Sequence, residues 1–157
     1  MGENIIRKAE KKDAARMLEL LVQVNHVHAM GRPDLFIDGK TKYTESALGD
    51  VFDDPNRITF VCERDGLLIG YCMCQIEVHD GSAEVARKEL YIDDLCVDEI
   101  IRKTGAGKAL YNYVKDYARK NGYYRLTLHV WECNPNARAF YDAMGMKPYM
   151  TAMEEVL

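Results

Sequence analysis

The spacing of apolar residues switches between two periods along this chain, and the switches outline its elements. Asn4 to Lys8 is a short strand candidate. Asp13 stands where a helix N-cap belongs, and Ala14, Met17, Leu18, Leu21 and Val22 follow at helical spacing. Gly31 and Pro33 predict the end of that helix, and Lys42 to Phe52 reads as a second, weaker one. Ile58, Phe60 and Cys62 alternate with Arg57, Thr59 and Val61, as a strand requires; Asp65-Gly66 is a hairpin signal, and Leu67 to Val78 is the returning strand. His79 to Ser82 is a loop, and Leu90 to Val97 is a buried strand. Gly105 to Lys120 is a helix with Leu110, Tyr113, Val114, Tyr117 and Ala118 on one face. Leu126, Leu128 and Val130 alternate as a strand, with His129 on it facing a helix. Asn134 and Pro135 pair an N-cap with proline at the first helical position. Ala137, Phe140, Tyr141 and Met144 form that helix's stripe, and Gly145 closes it. Lys147 to Val156 is a candidate last strand. A hairpin followed by strand-helix-strand-helix predicts a mixed α/β sheet.

Composition narrows the class. A length of 157 residues suits one domain, spanning 1–157, and 48% hydrophobic with 29% charged residues excludes disorder. No apolar run approaches the ~18 residues of a membrane span. Met1-Gly2-Glu3-Asn4 lacks the basic and apolar lead of a secretory signal, so the expected place is the cytoplasm. A net charge of −4 speaks against a general nucleic-acid binder. The five cysteines, Cys62, Cys72, Cys74, Cys96 and Cys133, show no C-x-x-C and no paired ligand spacing, so they read as reduced thiols and no metal is expected. His26 and His28 stand roughly 200° apart around a helix and cannot share an ion.

Two segments carry candidate chemistry. In the strand before residue 98, Leu90 and Ile92 share one parity and Leu95 and Val97 the other, with Asp93 and Asp94 at the phase change. A β-bulge absorbs such a change and bends the strand from its neighbour, leaving backbone groups that an extended amide ligand can pair with. A strand buried on both faces, with the aspartates at its polar end, accounts for the pattern equally well. Next, Arg102-Lys103-Thr104-Gly105-Ala106-Gly107-Lys108 runs into a helix. Successive N–H groups at a helix start form an anion site, and glycine lets a phosphate approach the backbone. Neither the Walker loop nor the dinucleotide fingerprint fits: Ala109 follows Lys108, and position 110 is Leu.

Leu95-Cys96-Val97, four residues, and Arg102-x-x-Gly105-x-Gly107 resemble the acetyl-CoA motif of the GCN5-related N-acetyltransferases. Asn134-Pro135-Asn136-Ala137-Arg138-Ala139-Phe140-Tyr141 through Gly145-Met146 resembles a second segment of that family. The resemblance implies a mixed, mostly antiparallel sheet with a splayed central strand pair flanked by helices. It implies acetyl-CoA as co-substrate: Leu95, Cys96 and Val97 toward the pantetheine arm, Arg102 to Lys108 on the pyrophosphate, Asn134 and Asn136 by the pantetheine, and Tyr141 as general acid to the departing thiolate. A tyrosine holds its proton against a thiol, with pKa values of about 10 and 8.5. An N–H of Cys96 or Val97 is a candidate for the oxyanion.

The base stays open between Asp93, Asp94 and a water chain. Tyr91-Ile92-Asp93-Asp94 is similar to the Tyr-Leu-Glu-Asp run of diamine acetyltransferases, with Asp in place of Glu. His26 to Phe36 falls in the region that lines the family's acceptor site, which makes His28, Arg32 and Phe36 candidate substrate residues; Trp131 reads as packing. The implied partner is a small-molecule primary amine, with a protein N-terminus or lysine as alternative acceptor. A CoA-binding sensor without catalysis is the competing class. Pairing of two copies through C-terminal strands is a further implication of the resemblance.

Overall fold

The computed structural model describes residues 2–157; Met1, part of the start considered above, lies outside them. In chain order the elements are β1 (Ile5–Lys8), α1 (Ala14–Gly31), α2 (Glu45–Asp53), β2 (Arg57–Arg64), β3 (Leu67–His79), β4 (Arg87–Val97), α3 (Ala106–Lys120), β5 (Leu126–Leu128) and α4 (Pro135–Ala143). One five-stranded sheet holds the strands in sequence order. β1 to β4 pair antiparallel, and β5 joins β4 in parallel after the α3 crossover. This is the mixed α/β sheet that the sequence predicts.

Strand alternation sorts the side chains into two cores, one on each face. Phe60, Cys62, Cys72, Cys74, Leu90 and Ile92 meet Leu110, Tyr111 and Val114 of α3, with Phe140 and Tyr141 of α4 against them. Val61, Tyr71, Met73 and Cys96 meet Met17, Leu20 and Leu21 of α1 and Leu48 of α2. At the β2–β3 turn, Asp65 and Gly66 both take positive φ, 52° and 79°, as a tight hairpin turn needs. Arg7 clamps β1 to its surroundings with bidentate bonds to Asp13 (2.7 and 2.9 Å) and Glu63 (2.8 and 3.1 Å).

Several expected details differ. Asp13 does not cap α1. Its carboxylate accepts from the Glu10 N–H at 2.7 Å, closing a 3-10 turn, and pairs with Arg7 instead. α2 begins three residues later than expected because Thr44 caps it, accepting from the Ala47 N–H at 3.1 Å. On α3, Tyr111 turns into the core and Tyr113 is 41% exposed, resting edge-on against Phe60. β5 stops at Leu128, and no strand forms after it among the described residues. The segment expected as a last strand is exposed and is tied down by side chains: Glu154 to Arg32, and Tyr149 under Arg125 with 4.5 Å to the ring centre.

Leu110 is fully buried where α3 meets the sheet. Leu110→Ala should lower the unfolding free energy by about 2–5 kcal/mol in urea titration; a loss well below that range would mean that the helix does not pack there.

Candidate active site

The register of β3 on β4 slips at one place. Cys74 faces Ile92 and Met73 faces Asp94, so Asp93 is an extra residue with no partner on β3. This bulge restores the phase: Leu90, Ile92, Leu95 and Val97 all pack toward the α3 core, while Cys96 joins the α1 core. It also ends the other pairing. β4 and β5 match only at Leu90–Leu126, Tyr91–Thr127 and Ile92–Leu128, yet β4 continues to Val97. From Asp93 onward no strand among the described residues pairs with the β5 side of β4.

The two aspartates lie in different surroundings. Asp93 is 25% exposed and pairs with Lys42, Nζ to Oδ2 at 2.9 Å. Asp94 accepts a hydrogen bond from the Tyr71 hydroxyl at 2.7 Å. Burial pushes its pKa up from 3.8 to about 6, against the opposing pull of that bond and of Lys42. The fold therefore favours neutral Asp94: this contribution to stability is complete below pH 3.8 and is lost as pH rises through about 6. Burial likewise raises the Tyr141 hydroxyl above its ordinary range, with Cys72 and Asp94 adding to the shift, so Tyr141 stays protonated at neutral pH and lies within electrostatic reach of Asp94. Its ring rests 5.2 Å from Phe140 and 6.4 Å from Tyr111.

At the end of β4 the chain turns into α3. Lys103 and Gly105 both take left-handed backbone, φ 65° and 87°. The Thr104 hydroxyl donates to the Ile101 carbonyl at 2.7 Å and accepts from Arg64 at 3.2 Å. Gly105 precedes α3, whose opening N–H groups at Ala106, Gly107 and Lys108 have no partner within the helix. A side chain at Gly105 would project into open space. A Cβ on Gly107 would touch Phe140 and Val97 at 3.5–3.6 Å, which brings α3 close to α4 and β4. Arg102 donates to the Val97 carbonyl at 3.2 Å and so links the loop to the open strand. Asn134 caps α4, accepting from the Ala137 N–H at 3.2 Å, which leaves its amide NH2 for other partners; Asn136 is exposed on the same turn.

On the α1 side, His28, Phe36 and Trp131 form an aromatic wall, with ring centres 5.0 Å apart for His28–Phe36 and 5.3 Å for Phe36–Trp131. Burial, with Lys42 nearby, lowers the His28 pKa. His26 points elsewhere, to Asp38 at 2.9 Å. The Arg32 guanidinium is bound to Asp34 and Glu154 and clamps this segment to the C-terminal one. Gly31 lies so close to Cys133 that a Cβ would come within 2.6 Å of its sulfur. Lys42, Tyr71 and Trp131 were not expected as site residues. Tyr71 could have been found from strand parity, since it faces the same side as Asp94; Lys42 carries no local signal. His129 lies beyond β5 and meets Tyr91 edge-on at 5.2 Å. Away from the cleft, Glu77, His79 and Glu89 bring ligand atoms within 4.8 Å of one another, a cluster that residue spacing did not suggest; there Arg87 and Arg125 pair with Glu89.

A family model described as the acetyltransferase (GNAT) family matches residues 27–146. This chain belongs to that family. Membership makes it an N-acetyltransferase, and acetyl-CoA is the donor generally used in the family. It is 28% identical over 141 residues to the uncharacterized N-acetyltransferase YhfO of Bacillus subtilis, covering 89% of this chain and 87% of that one. It is similar to the BH1408 protein of Bacillus halodurans, solved as a point mutant, with TM-score 0.92 and 26% identity over 98% of this chain and 99% of the other. It shares its fold with glucosamine-6-phosphate N-acetyltransferase of Arabidopsis thaliana, with TM-score 0.72 and 21% identity over 98% of both chains.

Asp94 should titrate near pH 6 when followed by carboxyl-carbon NMR. Tyr71→Phe removes a bond that favours the carboxylate and should move the titration upward; no movement would mean that the Tyr71 contact does not hold in solution.

Proposed function

We propose that this chain transfers the acetyl group of acetyl-CoA to a primary amine of a small molecule by direct attack. The observation that carries this reading is the opening of β4 from β5 at Asp93. That opening leaves the β5 side of β4 without a partner strand, β4 leads on to the glycine loop before α3, and Tyr141 packs against the same core as Leu95 and Val97. The backbone of Leu95 to Val97 suits an amide-bearing arm, and Arg102 to Lys108 suit the pyrophosphate. The partly buried carboxylate of Asp93, which already holds the Lys42 ammonium, suits an incoming ammonium. Asp94, ionised above about pH 6, suits the proton that the amine must shed, directly or through a water. Tyr141 holds its proton and suits the leaving sulfur.

The nitrogen lone pair forms a bond to the thioester carbon, the carbon–sulfur bond breaks, and the thiolate takes the tyrosine proton. An N–H of Cys96 or Val97 suits the carbonyl oxygen as it gains charge. The aromatic wall of His28, Phe36 and Trp131, with the Arg32 clamp on the segment beside it, supports a small amine as the acceptor.

A thiol-release assay with acetyl-CoA against small amines, polyamines, amino acids, aminoglycosides and N-terminal peptides tests the reading. Turnover confined to peptides would replace the small acceptor by a protein one. Acetyl-CoA binding without turnover on any amine would favour the sensor. Tyr141→Phe should lower kcat about tenfold or more, within the usual range of acid catalysis, with acetyl-CoA affinity nearly unchanged; an undiminished kcat removes Tyr141 as the acid.

Gly105→Val places a β-branched residue at φ 87° and fills the anion space. Acetyl-CoA affinity should fall on the order of tenfold or more, a change of about 1.4 kcal/mol, and calorimetry that finds affinity intact would detach the loop from the phosphates.

A further inference from the structure

The connection between α1 and α2 carries an amine of its own into the cleft. Among the described residues, lysine ion pairs occur at Lys11–Asp53, Lys12–Glu10 and Lys42–Asp93. The first two are on open surface, with both partners more than half exposed. The third ends on the bulge. The Lys42 charge is also felt at the adjacent Asp94 and at His28 of the aromatic wall. Its position is held by the next residue: Tyr43 packs on the α1-side core, and its hydroxyl accepts from Arg57 at 3.1 Å. Lys42 is thus a primary alkyl ammonium seated on the carboxylate that suits an incoming acceptor.

We infer that Lys42 is an internal acceptor, acetylated by its own molecule when acetyl-CoA is bound and no free amine is present. The inference rests on the acetyltransferase reading above and deepens it by naming an amine that the site holds. The lysine ammonium gives one proton through water to Asp94, and the free amine so formed attacks the thioester carbon with its lone pair. The nitrogen–carbon bond forms, the carbon–sulfur bond breaks, and the sulfur leaves with the electron pair and takes the Tyr141 proton. The second nitrogen proton returns to the tyrosine through water, and Asp94 passes the first to solvent. The products are an amide at Lys42, free CoA thiol and one proton. The amide carries no charge and cannot pair with Asp93, so acetylation frees that carboxylate for a cationic acceptor.

The test incubates the full chain with acetyl-CoA alone and follows each lysine by peptide mass spectrometry, with the amine panel run in parallel. Lys40, exposed two residues earlier in the same segment, is the chemical control. Acetylation of Lys42 on the order of tenfold faster than Lys40, at a rate constant independent of protein concentration, is the expected result. Asp93→Asn should slow Lys42 and leave Lys40 unchanged. Equal rates at the two lysines while amines still release thiol overturn the inference and leave the acetyltransferase reading standing. A rate constant that grows with protein concentration also overturns it, since the acceptor is then a lysine of another molecule. Absence of both thiol release and lysine modification overturns the inference together with the reading.

Discussion

A strand can satisfy its hydrogen bonds on two sides only while its register holds on both. The extra residue at Asp93 keeps β4 in register with β3 on either side of the bulge, but β4 bends there and parts from β5 after Ile92. Residues 94–97 stay paired with β3 but have no strand on their β5 side, and β4 then feeds the loop that opens α3. The divergence persists because both faces of β4 remain anchored: Leu90 and Ile92 are buried against the α3 core, and Cys96 against the α1 core.

The bulge also sets the electrostatics. Adjacent residues on a regular strand point to opposite faces, and two neighbouring carboxylates would then have little to do with each other. Here Asp93 is the extra residue and meets a lysine at the mouth of the cleft, whereas Asp94 is turned beneath it onto Tyr71. One carboxylate is a partner for a cation. The other is held near the pH at which it can exchange a proton. Environment separates two residues of the same type into two chemical characters.

The aromatic wall is built from pieces remote in sequence. The end of α1 is brought against Cys133 by the absence of a side chain at Gly31, and this proximity lets His28 and Phe36 meet Trp131. Arg32 and Glu154 join the same region to the C-terminal segment. That segment is held by side chains and not by strand pairing, so its order depends on charge and ring contacts that salt and substitution can weaken.

Local pattern was enough for the elements, the hairpin at Asp65-Gly66, the phase break at Asp93 and the glycine loop, because each is written in residues a few positions apart and obeys backbone sterics or strand periodicity. The two motif segments, through the family they resemble, pointed to Tyr141. Pattern misjudged Asp13, whose side chain is claimed by Arg7, and it did not show the pairing of Arg32 with the distant Glu154. It misjudged the last strand, since alternation states that a segment can pair and not whether an edge is in reach. It could not have found Lys42, which faces Asp93 across more than fifty residues of chain. Ion pairs, pKa shifts and the closeness of Tyr141 to Asp94 depend on distance in space and on burial, and those exist only once the sheet has closed and the helices have covered it.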